Sequence, residues 1–179
     1  MNFRIQASYP INNGEFCQED TKLSEAIETI FPMLTEDAIL IWNTIYIPLN
    51  YKYDISYMID DILNLLKKIR ENLDGEIKID WPSNSFACEW ILKWNSELLT
   101  IDSKWRSVTG HTEDSLNNLS ELNVNLLEFV NEWKSVLEVL INNLETCGYG
   151  KENLIDMGLL YDEYRAIKSY GLLYLQSKN

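Results

Sequence analysis

The apolar residues of this chain follow two different periods, and the two periods dominate different parts of the sequence. Up to about residue 110, apolar residues often alternate with polar ones, as in strands that bury one face; beyond it they recur every three or four residues, as on one face of a helix. The clearest alternation runs through Phe86–Trp94 and Leu98–Val108, which predict a hairpin around Asn95-Ser96-Glu97. This order of patterns predicts an α+β domain.

Nine elements are predicted from these patterns and from the turn residues between them. The strands are expected near residues 3–9, 38–48, 76–81, 86–94 and 98–108. The helices are expected near residues 21–31, 54–73, 113–146 and 156–174. Together they predict a mixed or mostly antiparallel sheet of about five strands, with helices packed on one face and a helical C-terminal half.

A single domain, 1–179, is expected from the length and from the lack of a linker. Residues 1–110 would form the sheet with two helices, and residues 111–179 would form a helical part packed on it. The core residues expected from the apolar faces are Ile62, Leu66, Trp90, Trp105 and Trp133.

The residues that most reactions need are scarce in this sequence. His111 is the one histidine, and it stands in a loop next to Gly110, where a cap or surface position is the usual role. The chain has no glycine-rich phosphate loop, no serine elbow and no close cysteine pair. We therefore expect no catalytic residue, no metal ion and no cofactor, and a protein that is not an enzyme.

Three well-separated cysteines, Cys17, Cys88 and Cys147, are typical of reduced thiols that pack as small apolar groups. No apolar run approaches the ~20 residues of a membrane-spanning helix. The N-terminal sequence MNFRIQASYP also lacks the pattern of a signal peptide. These features predict a cytoplasmic protein that does not contact a membrane.

Charge is the strongest sequence signal about partners. The chain holds 28 acidic and 15 basic residues, a net charge of −13, whereas solubility needs a magnitude of only about 2–8. Nucleic acid is an unfavourable partner, because phosphate binding needs an excess of lysine and arginine. A basic protein is favoured, since opposite charge accelerates its encounter with an acidic surface.

Acidic residues opposite the apolar faces of the predicted helices are the candidate contacts for such a partner. An exposed charged face of a helix commonly serves only to solvate it, so these residues are candidates by position and by the overall charge excess. The first set comprises Asp60, Asp61, Glu71, Glu121, Glu128 and Glu132. The second set, at the edge of the predicted hairpin, comprises Glu89, Glu97 and Asp102.

The segment Leu98–Gly110 (LLTIDSKWRSVTG) resembles a strand found in small bacterial immunity proteins of polymorphic and contact-dependent growth inhibition toxin systems. The shared pattern places Leu99, Ile101, Trp105, Val108 and Gly110 at matching intervals. The resemblance implies an antitoxin role: the chain would bind a cognate toxin domain and cover its active site. Many such toxins are nucleases with basic clefts, which an acidic inhibitor would fit.

Two other classes of function stay open at this point. A DNA-mimicking anti-restriction or regulatory protein would also be small and acidic, although Lys67, Lys68 and Arg70 interrupt the negative charge here. A small enzyme is the other alternative, and it would need a polar pocket around His111 or around a pair of acids.

Overall fold

The computed structural model describes the backbone of residues 2–176 and the side chains of residues 2–167. Seven strands are present: β1 (Phe3–Gln6), β2 (Ala38–Trp42), β3 (Ile45–Leu49), β4 (Gly75–Pro82), β5 (Phe86–Trp94), β6 (Leu98–Val108) and β7 (Glu121–Asn125). The helices are α1 (Leu23–Ile30), α2 (Ser56–Glu71), α3 (Glu113–Asn117), α4 (Leu126–Thr146) and α5 (Met157–Gln176). A π-helical turn, Tyr51–Ile55, leads into α2. The α+β class and the helical C-terminal part are confirmed.

The strands form two antiparallel sheets, where one sheet of about five strands was predicted. The first sheet has the order β1-β2-β3 and the second has the order β4-β5-β6-β7. The hairpin of β5 and β6 has its predicted bounds, and the Asn95 side chain closes the turn by accepting hydrogen bonds from the backbone of Glu97 and Leu98.

The single strand predicted over residues 38–48 is wrong, because the chain turns back at Asn43 and Thr44. Both residues have positive φ, 45° and 75°, the backbone pairing of a tight turn between antiparallel strands. Trp42 and Ile45 therefore pair with each other across β2 and β3. Pro48 lies in β3, an edge strand, where its missing N–H costs no hydrogen bond within the sheet.

The single helix predicted over residues 113–146 is also wrong, because β7 interrupts it. Leu122 and Val124 alternate towards the core as β7 pairs with β6. Just before this strand, the side chain of Asn117 lies beside β6. It accepts a hydrogen bond from the N–H of Trp105 and donates one to the Trp105 carbonyl, at 2.9 Å each. Asn125 then caps α4 by accepting from the N–H groups of Leu127 and Glu128.

Aromatic side chains join the two sheets in one core. Trp42 of the first sheet lies 5.4 Å from Trp90 and 5.2 Å from Trp105 of the second, measured between ring centroids. Phe3 contacts both Trp90 and Phe129, which connects β1 to α4. The predicted core residues are confirmed, since each is buried: Ile62, Leu66, Trp90, Trp105 and Trp133.

The helices pack against the sheets: α2 contacts β4, α3 contacts β6, and α4 contacts β7. α1 packs on α2, while α4 packs on β1 and on α5. Within residues 2–176, none of the helices combines the length and the apolar character needed to cross a bilayer.

Candidate protein-binding surface

The three candidate acids on α2 lie in different surroundings. Asp61 accepts a hydrogen bond from the indole N–H of Trp81 at 3.0 Å, which holds it against the second sheet. Glu71 is exposed and lies 3.6 Å from Arg70. Asp60 is exposed, yet partial desolvation raises its pKa, and the neighbouring carboxylates of Asp156 and Asp61 raise it further.

Replacing Asp60 with asparagine is expected to stabilise the protein at neutral pH. A carboxyl whose folded-state pKa is raised binds more protons in the folded than in the unfolded chain, so its contribution to stability falls as the pH rises through that range. The advantage of Asp60→Asn over the parent chain should therefore disappear below about pH 3, where both states are protonated. Urea unfolding at pH 3 and pH 7 measures this; a loss of stability at pH 7 would contradict it.

Glu121, Glu128 and Glu132 do not lie on one helix, which corrects the prediction of a single helix over residues 113–146 that carried all three. Glu121 lies on β7 and accepts a hydrogen bond from Asn123 at 2.9 Å. Glu128 is exposed in the first turn of α4, where the positive end of the helix dipole stabilises a carboxylate. Glu132 is half-buried and accepts from the backbone N–H of Ile5 at 2.7 Å, so it joins α4 to β1.

The second set of candidate acids belongs to the second sheet and its β5–β6 turn. Asp102 lies opposite Glu121 in the register of β6 and β7, and Glu97 is exposed in the turn. Glu89 forms an ion pair with Lys78 at 2.8 Å. Further ion pairs on the same sheet join Lys93 to Glu76 and Arg106 to Asp80. Acids and bases thus alternate on the outer face of this sheet, which neutralises much of its charge.

Most of the net negative charge comes from two other parts of the chain. Residues 15–37 and residues 113–145, called here the acidic segments, each contain seven acids and one lysine. They meet where α1 contacts α4 and where Asn12, next to the first segment, donates to Asn143 at 2.7 Å. Their acids are Glu15, Glu19, Asp20, Glu25, Glu28, Glu36, Asp37, Glu113, Asp114, Glu121, Glu128, Glu132, Glu138 and Glu145.

Many of these acids are satisfied by neutral donors, which leave the negative charge in place. The backbone N–H of Thr21 is the main cause of a lowered pKa for Glu25, and that of Val108 lowers the pKa of Glu113. Both carboxyls are therefore ionised at neutral pH. Other neutral donors of this kind are the N–H of Ile5 to Glu132, the N–H of Tyr9 to Glu36, the amide of Asn50 to Asp37, and the hydroxyls of Tyr164 to Glu138 and Tyr161 to Glu145.

Beside the acidic segments lies a set of exposed apolar side chains that sequence reasoning missed. The apolar patch consists of Tyr9, Ile11, Met33 and Leu34, which are 64–97% exposed. The four residues of the patch lie on two loops. These loops contact each other, since the N–H of Ile11 donates to the Thr35 hydroxyl at 2.8 Å. Large apolar side chains this exposed on neighbouring loops are typical of a contact surface for another protein.

The signal for this patch was present in the sequence. Tyr9 and Ile11 flank Pro10, and Met33 and Leu34 follow Pro32. Ile11, Met33 and Leu34 lie outside any periodic run, whereas Tyr9 continues the alternation of the strand predicted over residues 3–9, which ends at Gln6 in the structure. No local pattern, however, shows that the two loops meet.

A groove continues from the patch along α4. It has a volume of about 640 Å³, and its two walls are the segment Ile5–Pro10 and the face of α4 that carries Glu138 and Asn142. Tyr9 belongs to both the groove and the patch. The groove and the patch therefore adjoin, and two acids of the acidic segments lie beside them: Glu36, which accepts from the N–H of Tyr9, and Glu138 in the α4 wall of the groove.

Of the groups that could take part in chemistry, His111 adjoins the second acidic segment and Cys88 is enclosed. His111 is exposed, with its Nδ1 3.9 Å from Glu113. Cys88 is buried, and burial raises the pKa of its thiol. Among the residues that the structure describes, no three His, Cys, Asp or Glu side chains are placed to hold a metal ion.

Comparison of the chain with protein-family models, with curated proteins and with solved structures finds no match in any of the three.

Proposed function

We propose that this chain is an immunity-type inhibitor that binds and neutralises a cognate toxin domain. The toxin would be basic, as a nuclease is, and the inhibitor would cover its active site. The observation that carries the proposal is the pairing of two acidic segments, whose acids bond neutral donors, with an adjacent exposed apolar patch.

Each part of this surface has a separate physical role in binding. The acidic segments attract a basic partner over distances of about 10 Å, which raises the association rate. The apolar patch supplies surface that can be desolvated at the centre of an interface, where most of the binding energy arises. The Leu98–Gly110 segment that resembles immunity proteins contributes to the core through Trp105, so it would support the surface rather than form it.

The DNA-mimic alternative receives less support from these features. A phosphate mimic needs regular and nearly unbroken negative charge, whereas the second sheet carries alternating charges joined as ion pairs. An apolar patch also has no counterpart on a phosphate backbone. Competition with duplex DNA for several unrelated DNA-binding proteins would favour the mimic.

The experiment that tests the proposal is co-expression with a candidate toxin domain taken from the same gene neighbourhood, followed by stopped-flow binding at two salt concentrations. We expect growth to be protected, and we expect the double variant Glu128→Lys/Glu138→Lys to associate roughly tenfold more slowly at low salt. The loss should shrink at high salt, because salt screens exposed charges.

The matched control is Asp74→Lys/Glu76→Lys, which makes the same change in net charge at exposed positions where the second sheet begins. It should slow association much less. If both double variants slow association equally, the association rate depends on the total charge of the chain and not on the acidic segments. If the parent chain neither binds the toxin nor protects growth, the immunity function is wrong.

A further inference from the structure

The π-helical turn before α2 holds a buried carboxylate, Asp54, which is 1% exposed. Its Oδ1 accepts hydrogen bonds from the hydroxyls of Ser83 and Ser85, at 2.8 and 2.6 Å. Its Oδ2 accepts from the backbone N–H of Asn50 at 2.8 Å. These donors are neutral, so they stabilise the carboxylate without supplying an opposite charge.

A pocket of about 390 Å³ is lined in part by Ser83 and Ser85, the two serines that donate to this carboxylate. Its walls are the side chains of Tyr53 and Tyr57 together with the loop Pro82–Ser85. Both tyrosines are exposed, Tyr57 by 58%. Two aromatic rings among the walls of this pocket offer negative π faces to a group that enters it.

The serine hydroxyls determine what the pocket can bind. Each hydroxyl has one proton, and Ser83 and Ser85 both direct theirs to Asp54. Ser85 Oγ also lies 3.2 Å from Ser83 Oγ, and it can accept a hydrogen bond from a group in the pocket while its own proton is directed to Asp54. The polar side of the pocket therefore accepts hydrogen bonds and favours a positively charged donor.

We propose that this pocket binds the guanidinium group of an arginine side chain on the protein partner. Guanidinium carries donors without acceptors and is planar, so it can stack on a tyrosine ring while it donates to Ser85. The ring of Tyr53 already has a cation near one face, since the ammonium of Lys52 lies 5.9 Å from its centroid. Lys52 is held there by the backbone carbonyl of Glu28.

The pocket is joined to the apolar patch through one residue, Asn50. The Asn50 side chain accepts from the N–H of Tyr53 at 3.3 Å and donates to the carbonyl of Met33 at 3.5 Å. A partner centred on the patch could therefore place an arginine in the pocket at the rim of the same interface. This role in toxin recognition rests on the proposed function, whereas the affinity of the pocket for guanidinium does not.

The test uses the intact chain and a small probe, Nα-acetyl-arginine methylamide, followed by backbone NMR shifts of Ser83, Asn84 and Ser85. Nα-acetyl-citrulline methylamide has the same shape without the charge, and Nα-acetyl-lysine methylamide has the charge without the plane. We expect saturable shifts with arginine and binding at least about fivefold weaker with either analogue. Equal binding of citrulline, or no shift with arginine, overturns the proposal; equal binding of lysine overturns the assignment to guanidinium.

Two variants locate the probe. Tyr57→Ala should weaken arginine binding about fivefold by removing one ring face, whereas Tyr46→Ala, which removes a 67% exposed tyrosine from β3, should leave it unchanged. Unchanged binding by Tyr57→Ala means that the probe binds elsewhere and overturns the proposal. Because no toxin is present in this assay, its failure leaves the test of the immunity function unaffected.

Discussion

Replacing Trp105 with alanine is expected to lower the free energy of unfolding by about 3–5 kcal/mol. Trp105 is buried between the two sheets, where its ring lies 5.2 Å from Trp42 and 5.5 Å from Phe86. Its indole N–H donates to the Ser103 hydroxyl at 2.8 Å. The substitution would remove the ring contacts and leave a cavity that neighbouring rings can fill only in part.

Urea unfolding followed by circular dichroism measures this effect without depending on tryptophan fluorescence. Leu98→Ala is the control on the same strand, because Leu98 is partly exposed and its truncation should change the free energy of unfolding by less than about 1 kcal/mol. A similarly small change for Trp105→Ala would contradict its place in the core.

Replacing Arg70 with methionine is expected to cost about 3 kcal/mol of stability. Arg70 on α2 and Glu163 on α5 form a two-pronged ion pair, with Nη2 2.7 Å from Oε1 and Nε 3.2 Å from Oε2. Glu163 is 1% exposed, whereas a third of the Arg70 side chain is exposed. Methionine keeps the apolar stem but leaves the Glu163 carboxylate buried without this partner.

The unequal burial of Arg70 and Glu163 also predicts which substitution lowers the stability more. Glu163→Gln should cost less than Arg70→Met, because the arginine that remains can turn its charge to water. Lys68→Met, an exposed position on the same helix, should be nearly neutral. Thermal unfolding of the three variants ranks them, and a larger loss for Glu163→Gln than for Arg70→Met would contradict the argument.

Local sequence patterns correctly predicted the elements whose apolar residues fit only a helical period or only a strand period. The α2 helix and the β5–β6 hairpin were predicted closely, because their apolar faces are regular and polar turn residues separate them. The β2–β3 turn was missed because Asn43-Thr44 lacks the glycine that usually marks a two-residue turn. β7 was missed because Leu122 and Leu126 fit a helical period as well as a strand period.

The candidate surface was less predictable than the fold. Helical spacing correctly placed Asp60 and Glu128 on the exterior. It could not show that Glu132 bonds β1 or that Asp61 bonds Trp81, since these contacts join residues far apart in sequence. The neutral partners of the acidic segments, the meeting of the two loops and the serine pair at Asp54 depend on tertiary structure in the same way.

The packing of Phe3 has a consequence for how the chain folds. Phe3 contacts Trp90 and Phe129. The core contacts of β1 therefore cannot all form until α4 lies beside it. Contacts over such long separations slow folding, because a large loop must close before they form. During synthesis, the inner face of the first sheet would stay accessible until the chain beyond Phe129 had left the ribosome, which makes that interval the one in which misassociation is most favoured.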